Sequence, residues 1–270
     1  LGCPATVAAD SAFLGRLGSF AAPAALSGNP WPGFFGRHGD AVGALRVPIE
    51  LPAGSACELG FVLATAETDE KTRELLARFG KVEALDASLA AAKARWTHLL
   101  AAHRVETPDA TFDAFLNDWV RYQAISARIQ GRCGYYQQSG AYGFRDQLQD
   151  SQVWLTIDPA LCREQIALHA AHQFADGSVY HWWHPLSETG HVTKMTDDLL
   201  WLAFVTAAYV RETGDLSILA DRTPFLDDPQ PAPLVEHVLR AFERVFRRTS
   251  PRGLPYIGAG DWNDGLSAVG

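Results

Sequence analysis

The feature that most constrains the fold is a change of apolar period part-way along the chain. From Glu67 the pattern becomes helical: Val82, Leu85, Leu89, Ala92, Trp96 and Leu99 recur every three or four residues, with Lys71, Arg73, Lys81, Lys93 and Arg95 largely off that stripe. A second helix is expected with Thr107 as N-cap and Pro108 at its first position, carrying Phe112, Phe115, Leu116, Trp119, Tyr122, Ile125 and Ile129. Further helices are expected over 159–174, 197–213 and 233–248, the last with Leu234, Val235, Val238, Leu239, Phe242, Val245 and Phe246 on one side. Helix after helix without a strand pattern between them predicts an all-α domain of antiparallel pairs.

Before Glu67 the signals are those of β-structure. Apolar runs at 42–51 and 56–66, separated by Pro52-Ala53-Gly54, predict a hairpin, and Pro and Gly recur too often between Gly28 and Gly43 for a helix. An isolated hairpin is marginal in water, so these strands should belong to a larger sheet. The chain starts at Leu1, has Met195 as its only methionine, and stops at Gly270 just after a Gly- and Trp-rich motif, so a fragment cut at both ends is expected.

Composition narrows the function. With 23 Lys and Arg against 31 Asp and Glu, the net charge of −8 offers no footprint for nucleic acid. No apolar stretch has the length of a membrane span and no leader is readable. Cys3, Cys57, Cys133 and Cys162 are scattered without a CxxC pair, which predicts small buried hydrophobes in a reducing, cytoplasmic compartment.

Three inter-helix loops carry chemistry. Residues 135–150 place Arg145, Asp146, Gln149 and Asp150 among three tyrosines and a phenylalanine. Such planar hydrogen-bonding groups beside flat apolar faces suit sugars, whose hydroxyls and C–H faces need both; a buried ion-pair network tying the loop to its helices is the other reading. Residues 180–198 hold Trp182 and Trp183 between His181 and His184, then His191 and the Asp197-Asp198 pair. At least one indole should line a cleft. The three histidines suit a metal by type but match no ligand spacing. Asp197 and Asp198 either favour the start of a helix capped by Thr196 or supply one cleft carboxylate. Residues 258–265 place Asp261, Trp262, Asn263 and Asp264 between glycines. A carboxyl beside an indole loses hydration and can stay protonated near neutral pH, as a general acid must. A plain or calcium-type turn loop uses the same residues.

Gly-Phe-Arg-Asp-Gln-Leu-Gln-Asp at 143–150, His-Trp-Trp-His-Pro at 181–185, Asp-Asp-Leu-Leu-Trp-Leu at 197–202 and Gly-Asp-Trp-Asn-Asp-Gly at 260–265 occur in this order. Together they resemble glycoside hydrolase family 94, which holds cellobiose and chitobiose phosphorylases, 1,2-β-oligoglucan phosphorylases and a module of cyclic β-1,2-glucan synthases. The likeness extends to Phe13-Leu14-Gly15-Arg16 and covers nearly the whole chain. It implies an α+β multidomain fragment: the end of an N-terminal β-sandwich at 1–66, a helical linker at 67–106, and part of an (α/α)6 barrel at 107–270. It also implies inverting phosphorolysis, with Asp264 as general acid and Trp262 as a wall of the donor-sugar subsite. Arg145 and Asp146 would grip hydroxyls, with Gln149, Asp150, Trp182, Trp183, Asp198, Asp261 and Asn263 as further substrate-binding residues.

Inverting hydrolases use a second carboxylate to activate water. Phosphate is already an anionic nucleophile, so one acid suffices and no metal or other cofactor is expected; inorganic phosphate is the co-substrate. Cellobiose-type members carry a further Arg where this chain has Ser139-Gly140-Ala141, so the likeness points to the β-1,2-glucan branch. Phosphate ligands are expected beyond Gly270, and the 270 residues alone are expected to be inactive. Expected partners are a glucooligosaccharide and phosphate, without nucleic acid; a homodimer is one assembly open to it. The compartment would be cytoplasmic, or membrane-associated if the parent is a glucan synthase.

Overall fold

The computed structural model describes residues 5–9, 13–27, 41–45, 47–132 and 139–260. The chain divides into two compact units, Leu1–Asp86 and Ala87–Gly270.

In the first unit β1 (Ala5–Ala9) pairs antiparallel with β2 (Ala41–Leu45), in register from Ala5↔Leu45 to Ala9↔Ala41. The expected hairpin of 42–51 with 56–66 does not form. Its turn exists, with the Ser55 N–H donating to the Pro52 carbonyl at 3.0 Å around Gly54 at φ +77°. The strand stops at Leu45 because Pro48 just beyond has no N–H for a ladder. Residues 56–66 find no strand partner among the described residues, and Phe61 and Leu63 stay exposed. Helix α1 (Asp69–Phe79) opens on Thr68, whose side chain accepts the Lys71 N–H, and closes at Gly80. Helix α2 (Val82–Leu100) comes next. The connector is therefore two helices; along α2 Leu99 is buried and Val82, Leu85 and Trp96 are half-buried, whereas Leu89 and Ala92 of the expected stripe are exposed.

The second unit is mainly helical, but two small sheets lie between its helices, so it is not the all-α domain expected. Helix α3, residues 110–130, opens two residues later than expected: Asp109, not Thr107, is the N-cap and accepts from the N–H groups of Thr111 and Phe112. Thr107 instead donates its hydroxyl to Asp113 at 2.7 Å. Two π-helical stretches, Phe115–Trp119 and Ala124–Gln130, interrupt α3. Each wide turn rotates the residues C-terminal to it away from their places in a 3.6-residue pattern. Ile125 and Ile129 are buried, while Phe112, Phe115 and Trp119 of the same expected stripe are exposed.

Helix α4 (Phe144–Ser151) starts at Gly143, whose N–H donates to the Gln147 side chain. Helix α5 (Pro159–Ala170) has Pro159 at its first turn, where a missing N–H is harmless, and Asp158 as cap. Helix α6 (Asp198–Thr213) ends at Gly214 with φ +70°. Between α5 and α6, β4 (Tyr180–His184) pairs on one side with the short β3 (Tyr142–Gly143) and on the other with β5 (Thr189–Val192). A hairpin of β6 (Arg222–Phe225) and β7 (Asp228–Pro233) precedes α7 (Leu234–Phe246).

Helices α4, α5 and α6 pack pairwise and α7 packs on α6, around a core that includes Phe144, Leu148, Ile166, Trp183, Leu202 and Val205. Arg163 on α5 grips Asp221 through two nitrogens, each at 2.6 Å, and Asp215 at 2.8 Å, which fastens the connection after α6. The buried side of α7 is Leu234, His237, Ala241 and Val245, not the full apolar stripe: Val235, Leu239 and Phe246 are exposed. His237 turns the helix this way, because its ring bonds both Gln173 (2.9 Å) and the Thr223 carbonyl (3.0 Å). Cys162 is buried, which pushes its thiol up to about 11, whereas Cys57 is exposed against expectation. No helix among the described residues is long and apolar enough to cross a membrane.

Candidate active site

The loop segment 193–198 sits between the other two motif regions and joins them. On one side it meets Arg145, in the first turn of α4 and buried. The Arg145 Nη1 donates to Asp197 Oδ2 at 3.1 Å and touches the Met195 sulfur at 3.5 Å, and Nε lies 3.9 Å from Asp198 Oδ1. On the other side, Met195 bridges to Gly258: the Thr196 N–H donates to the Ile257 carbonyl at 3.2 Å and the Ala259 N–H to the Lys194 carbonyl at 3.0 Å. This zipper carries the chain directly into Gly260-Asp261-Trp262-Asn263-Asp264. The two strands approach closely because Gly258 has no side chain; a Cβ there would lie 2.2 Å from the Lys194 carbonyl oxygen.

The two adjacent carboxylates differ in setting. Asp198 is wholly buried, and its Oδ2 accepts from His181 Nδ1 at 2.8 Å and from the Thr193 hydroxyl. Thr193 also accepts the Met195 N–H at 2.9 Å, so one hydroxyl ties the loop to the carboxylate. The Asp197 side chain keeps 30% of its surface in solvent. Partial burial raises its pKa, the neighbouring Asp198 adds to that, and Arg145 opposes it. Asp198 is therefore enclosed and does not face a cleft as expected; Asp197 is the member of the pair that meets solvent. Asp198 shares one helical face with Leu202, Val205 and Tyr209, all buried.

Asp146 is buried against Gly143, whose missing Cβ would come within 2.5 Å of Asp146 Oδ2. Arg128 at the end of α3 binds Asp150 at 2.7 Å and lies 3.6 Å from Asp146 Oδ1. Burial raises the Asp150 pKa, and Arg128 works against it. Gln149 beside it is half-buried. Arg128 and Thr193 belong to this cluster without having been singled out by residue pattern, and Asp197 was raised only as one of a pair.

Strand alternation sends the paired indoles to opposite faces of β4. Trp183 is wholly buried, stacked on Tyr142 (5.0 Å) and His172 (4.1 Å), so it is a core residue and not the sugar platform expected of it. Trp182 is 38% exposed beside His191 and His184 and is the indole that meets solvent. His181 is committed to Asp198, and among the described residues no group of three or more His, Cys, Asp or Glu could hold a metal ion. Asp261, Trp262, Asn263 and Asp264 lie outside the described residues.

Residues 7–82 match the supersandwich domain of glycosyl hydrolase 94, and residues 95–270 match the catalytic domain of that superfamily. The chain belongs to glycosyl hydrolase family 94. Its architecture is accordingly the end of a β-supersandwich followed by part of the family's (α/α)6-barrel catalytic domain. Among family 94 relatives, the cyclic beta-(1,2)-glucan synthase NdvB of Rhizobium meliloti (strain 1021) is 40% identical over 276 residues, 96% of this chain and 10% of that protein. The solabiose phosphorylase of Paenibacillus borealis is 30% identical across 96% of this chain and 32% of its own length. The N,N'-diacetylchitobiose phosphorylase of Vibrio proteolyticus is 26% identical across 84% of the chain and 32% of its length. The chain thus spans about a tenth to a third of the length of these relatives.

Proposed function

We propose that the chain is part of an inverting glycoside phosphorylase that acts on β-linked glucooligosaccharides, with β-1,2-glucan as substrate, and releases glucose 1-phosphate. The observation that carries this reading is the zipper of 194–196 with 257–259, which brings the stem of the Asp-Trp-Asn-Asp loop alongside the Arg145–Asp197 pair. In this reading Arg145, Asp146 and Trp182 hold the sugar, and Asp264 is the proposed acid. Relatives named as phosphorylases support the reaction class, and the β-(1,2)-glucan synthase relative supports the linkage.

In the proposed reaction an oxygen of phosphate attacks the anomeric carbon from the face opposite the leaving sugar. The C1–O glycosidic bond breaks as Asp264 gives its proton to the departing oxygen, and the new C1–O–P bond has inverted configuration. No cofactor is needed, because charge on phosphate replaces a base-activated water. The family resemblance assigns Arg145 and Asp146 to sugar hydroxyls; both are nearly enclosed, and a hydroxyl that reaches them would meet preorganised bonds in low dielectric.

The test is phosphorolysis by the protein expressed from the complete open reading frame, supplied with β-1,2-glucan and phosphate. Sugar phosphate should form, and Asp264→Asn should lose about 10²–10⁴-fold in rate, the usual contribution of a general acid. Absence of sugar phosphate, or a rate unchanged in Asp264→Asn, overturns the reading; turnover without phosphate makes the enzyme a hydrolase. A second reading, a module within a cyclic glucan synthase, is favoured by the relative of which this chain covers only a tenth. A membrane-spanning glycosyltransferase region in the same reading frame would decide for it.

A further inference from the structure

The Asp197-Asp198 pair divides two tasks that one carboxylate could not perform. Asp198 has no access to solvent and is saturated on one oxygen by His181 and Thr193; its other oxygen faces the Arg145 guanidinium at 3.9 Å and accepts no hydrogen bond among the described residues. Asp197 is the outward partner. A single nitrogen, Arg145 Nη1, meets both of its oxygens, at 3.1 and 3.4 Å, and Trp201 adds a side-chain hydrogen bond. A carboxylate offers about four acceptor directions, so these contacts leave capacity on the solvent side.

We propose that Asp197 is a specificity-determining residue that accepts a hydrogen bond from a hydroxyl of the bound sugar, with Asp198, through Arg145, as the positioning residue that aims it. This inference rests on the phosphorylase reading for its kinetics and on the geometry alone for its binding. Four contacts converge on the aim. Thr193 and His181 fix Asp198, Asp198 faces the guanidinium, and the guanidinium fixes Asp197. The surrounding protein is partly desolvating, as the raised Asp197 pKa records, so a hydroxyl bond made there is worth more than one made in water. The rival account is that Asp197 merely pins Arg145.

The experiment uses the protein from the complete open reading frame and compares Asp197→Asn with Asp197→Glu. A charge-assisted hydrogen bond corresponds to roughly tenfold to a hundredfold in binding. Asp197→Asn should raise KM for the oligosaccharide by at least about tenfold and leave KM for phosphate within about twofold. Asp197→Glu keeps the charge for Arg145 but moves the acceptor by one methylene, so it should raise the sugar KM as well; an unchanged KM in Asp197→Glu supports the pinning account and overturns the proposal. Deoxy-oligosaccharides supply the chemical readout. One deoxy position should cost the wild type about tenfold and the Asp197 variants almost nothing, and equal discrimination by both overturns the assignment.

Asp198→Asn reads the positioning role: its sugar-KM effect should vanish on an Asp197→Asn background, because the two act through one contact, and full additivity refutes that coupling. If the wild type forms no sugar phosphate, the phosphorylase reading fails by itself. Calorimetric titration of β-1,2-glucooligosaccharide then tests Asp197 separately, with at least tenfold weaker binding expected in Asp197→Glu and equal binding overturning the proposal.

Discussion

Gly258→Ala is the perturbation that tests most directly whether the 194–196 and 257–259 zipper builds the site. Gly258 has φ +79°, which an L-residue adopts at a cost of about 1–2 kcal/mol. Steric overlap costs more. The new Cβ would stand 2.2 Å from the Lys194 carbonyl oxygen, a backbone atom that cannot swing aside. Ordinary C···O contact is about 3.3 Å, so the two segments must part by about 1 Å. That separation breaks the bonds from Thr196 to Ile257 and from Ala259 to Lys194, each worth about 1 kcal/mol net. Releasing the stem is the cheapest escape, so the global loss is capped near 2–4 kcal/mol, or about 4–16 °C in Tm for a unit of this size.

Activity should fall much further, on the order of 100-fold, because a displacement of about 1 Å at a reacting centre has that effect. The control is Gly253→Ala, where φ is +75° but no atom lies within 4 Å of the added Cβ; strain of about 1 kcal/mol and nearly full activity are expected. Phosphorolysis, thermal melting and limited proteolysis around 250–260 provide three independent readings. Gly258→Ala with wild-type rate and wild-type protection from protease, or Gly253→Ala with an equal loss, would refute the reasoning.

Burial leads to two other expected outcomes. Trp183→Ala should destabilise by about 3–5 kcal/mol, as for other fully buried aromatics, whereas Trp182→Ala should cost under about 1 kcal/mol and mainly raise the oligosaccharide KM; parallel melts and kinetics would show a reversed order if the assignment of faces is wrong. His169 is buried and desolvation pulls its pKa from 6.5 to about 4, so it folds neutral and must be charged on unfolding in acid. Its contribution is present above about pH 6.5 and is lost as pH falls towards 4, reaching about 3 kcal/mol. His237, lowered for the same reason, acts with the same sign; the raised carboxyls of Asp150 and Asp197 act oppositely. The comparison is therefore between urea midpoints of wild type and His169→Leu from pH 7 to 4, and an identical slope would eliminate the His169 account.

Much of the helical framework was legible because its determinants are local. Asp158-Pro159 announces the start of α5 and Gly214 the end of α6, since a cap and a left-handed residue act within one turn. The 42–51 and 56–66 hairpin failed because two apolar runs and a turn describe strand-like segments without naming partners; β2 pairs with β1, more than thirty residues upstream. The α3 stripe failed where π turns changed the period on which the reading depended. The candidate motifs were visible as residue types, but the contact of 194–196 with 257–259 was not, because the bridge at Gly258 joins segments about sixty residues apart.

By itself the sequence determined where several helices begin or end, which loops are chemically loaded and which family the motifs resemble, because propensity, capping and periodicity are written within a few residues. Only the tertiary structure decided which member of each adjacent pair turns inward: Trp183 and not Trp182, Asp198 and not Asp197. Neighbours in sequence share composition and local propensity. What separates them is distant: the rings of Tyr142 and His172 that enclose one indole, and the His181, Thr193 and Arg145 groups that surround one carboxylate.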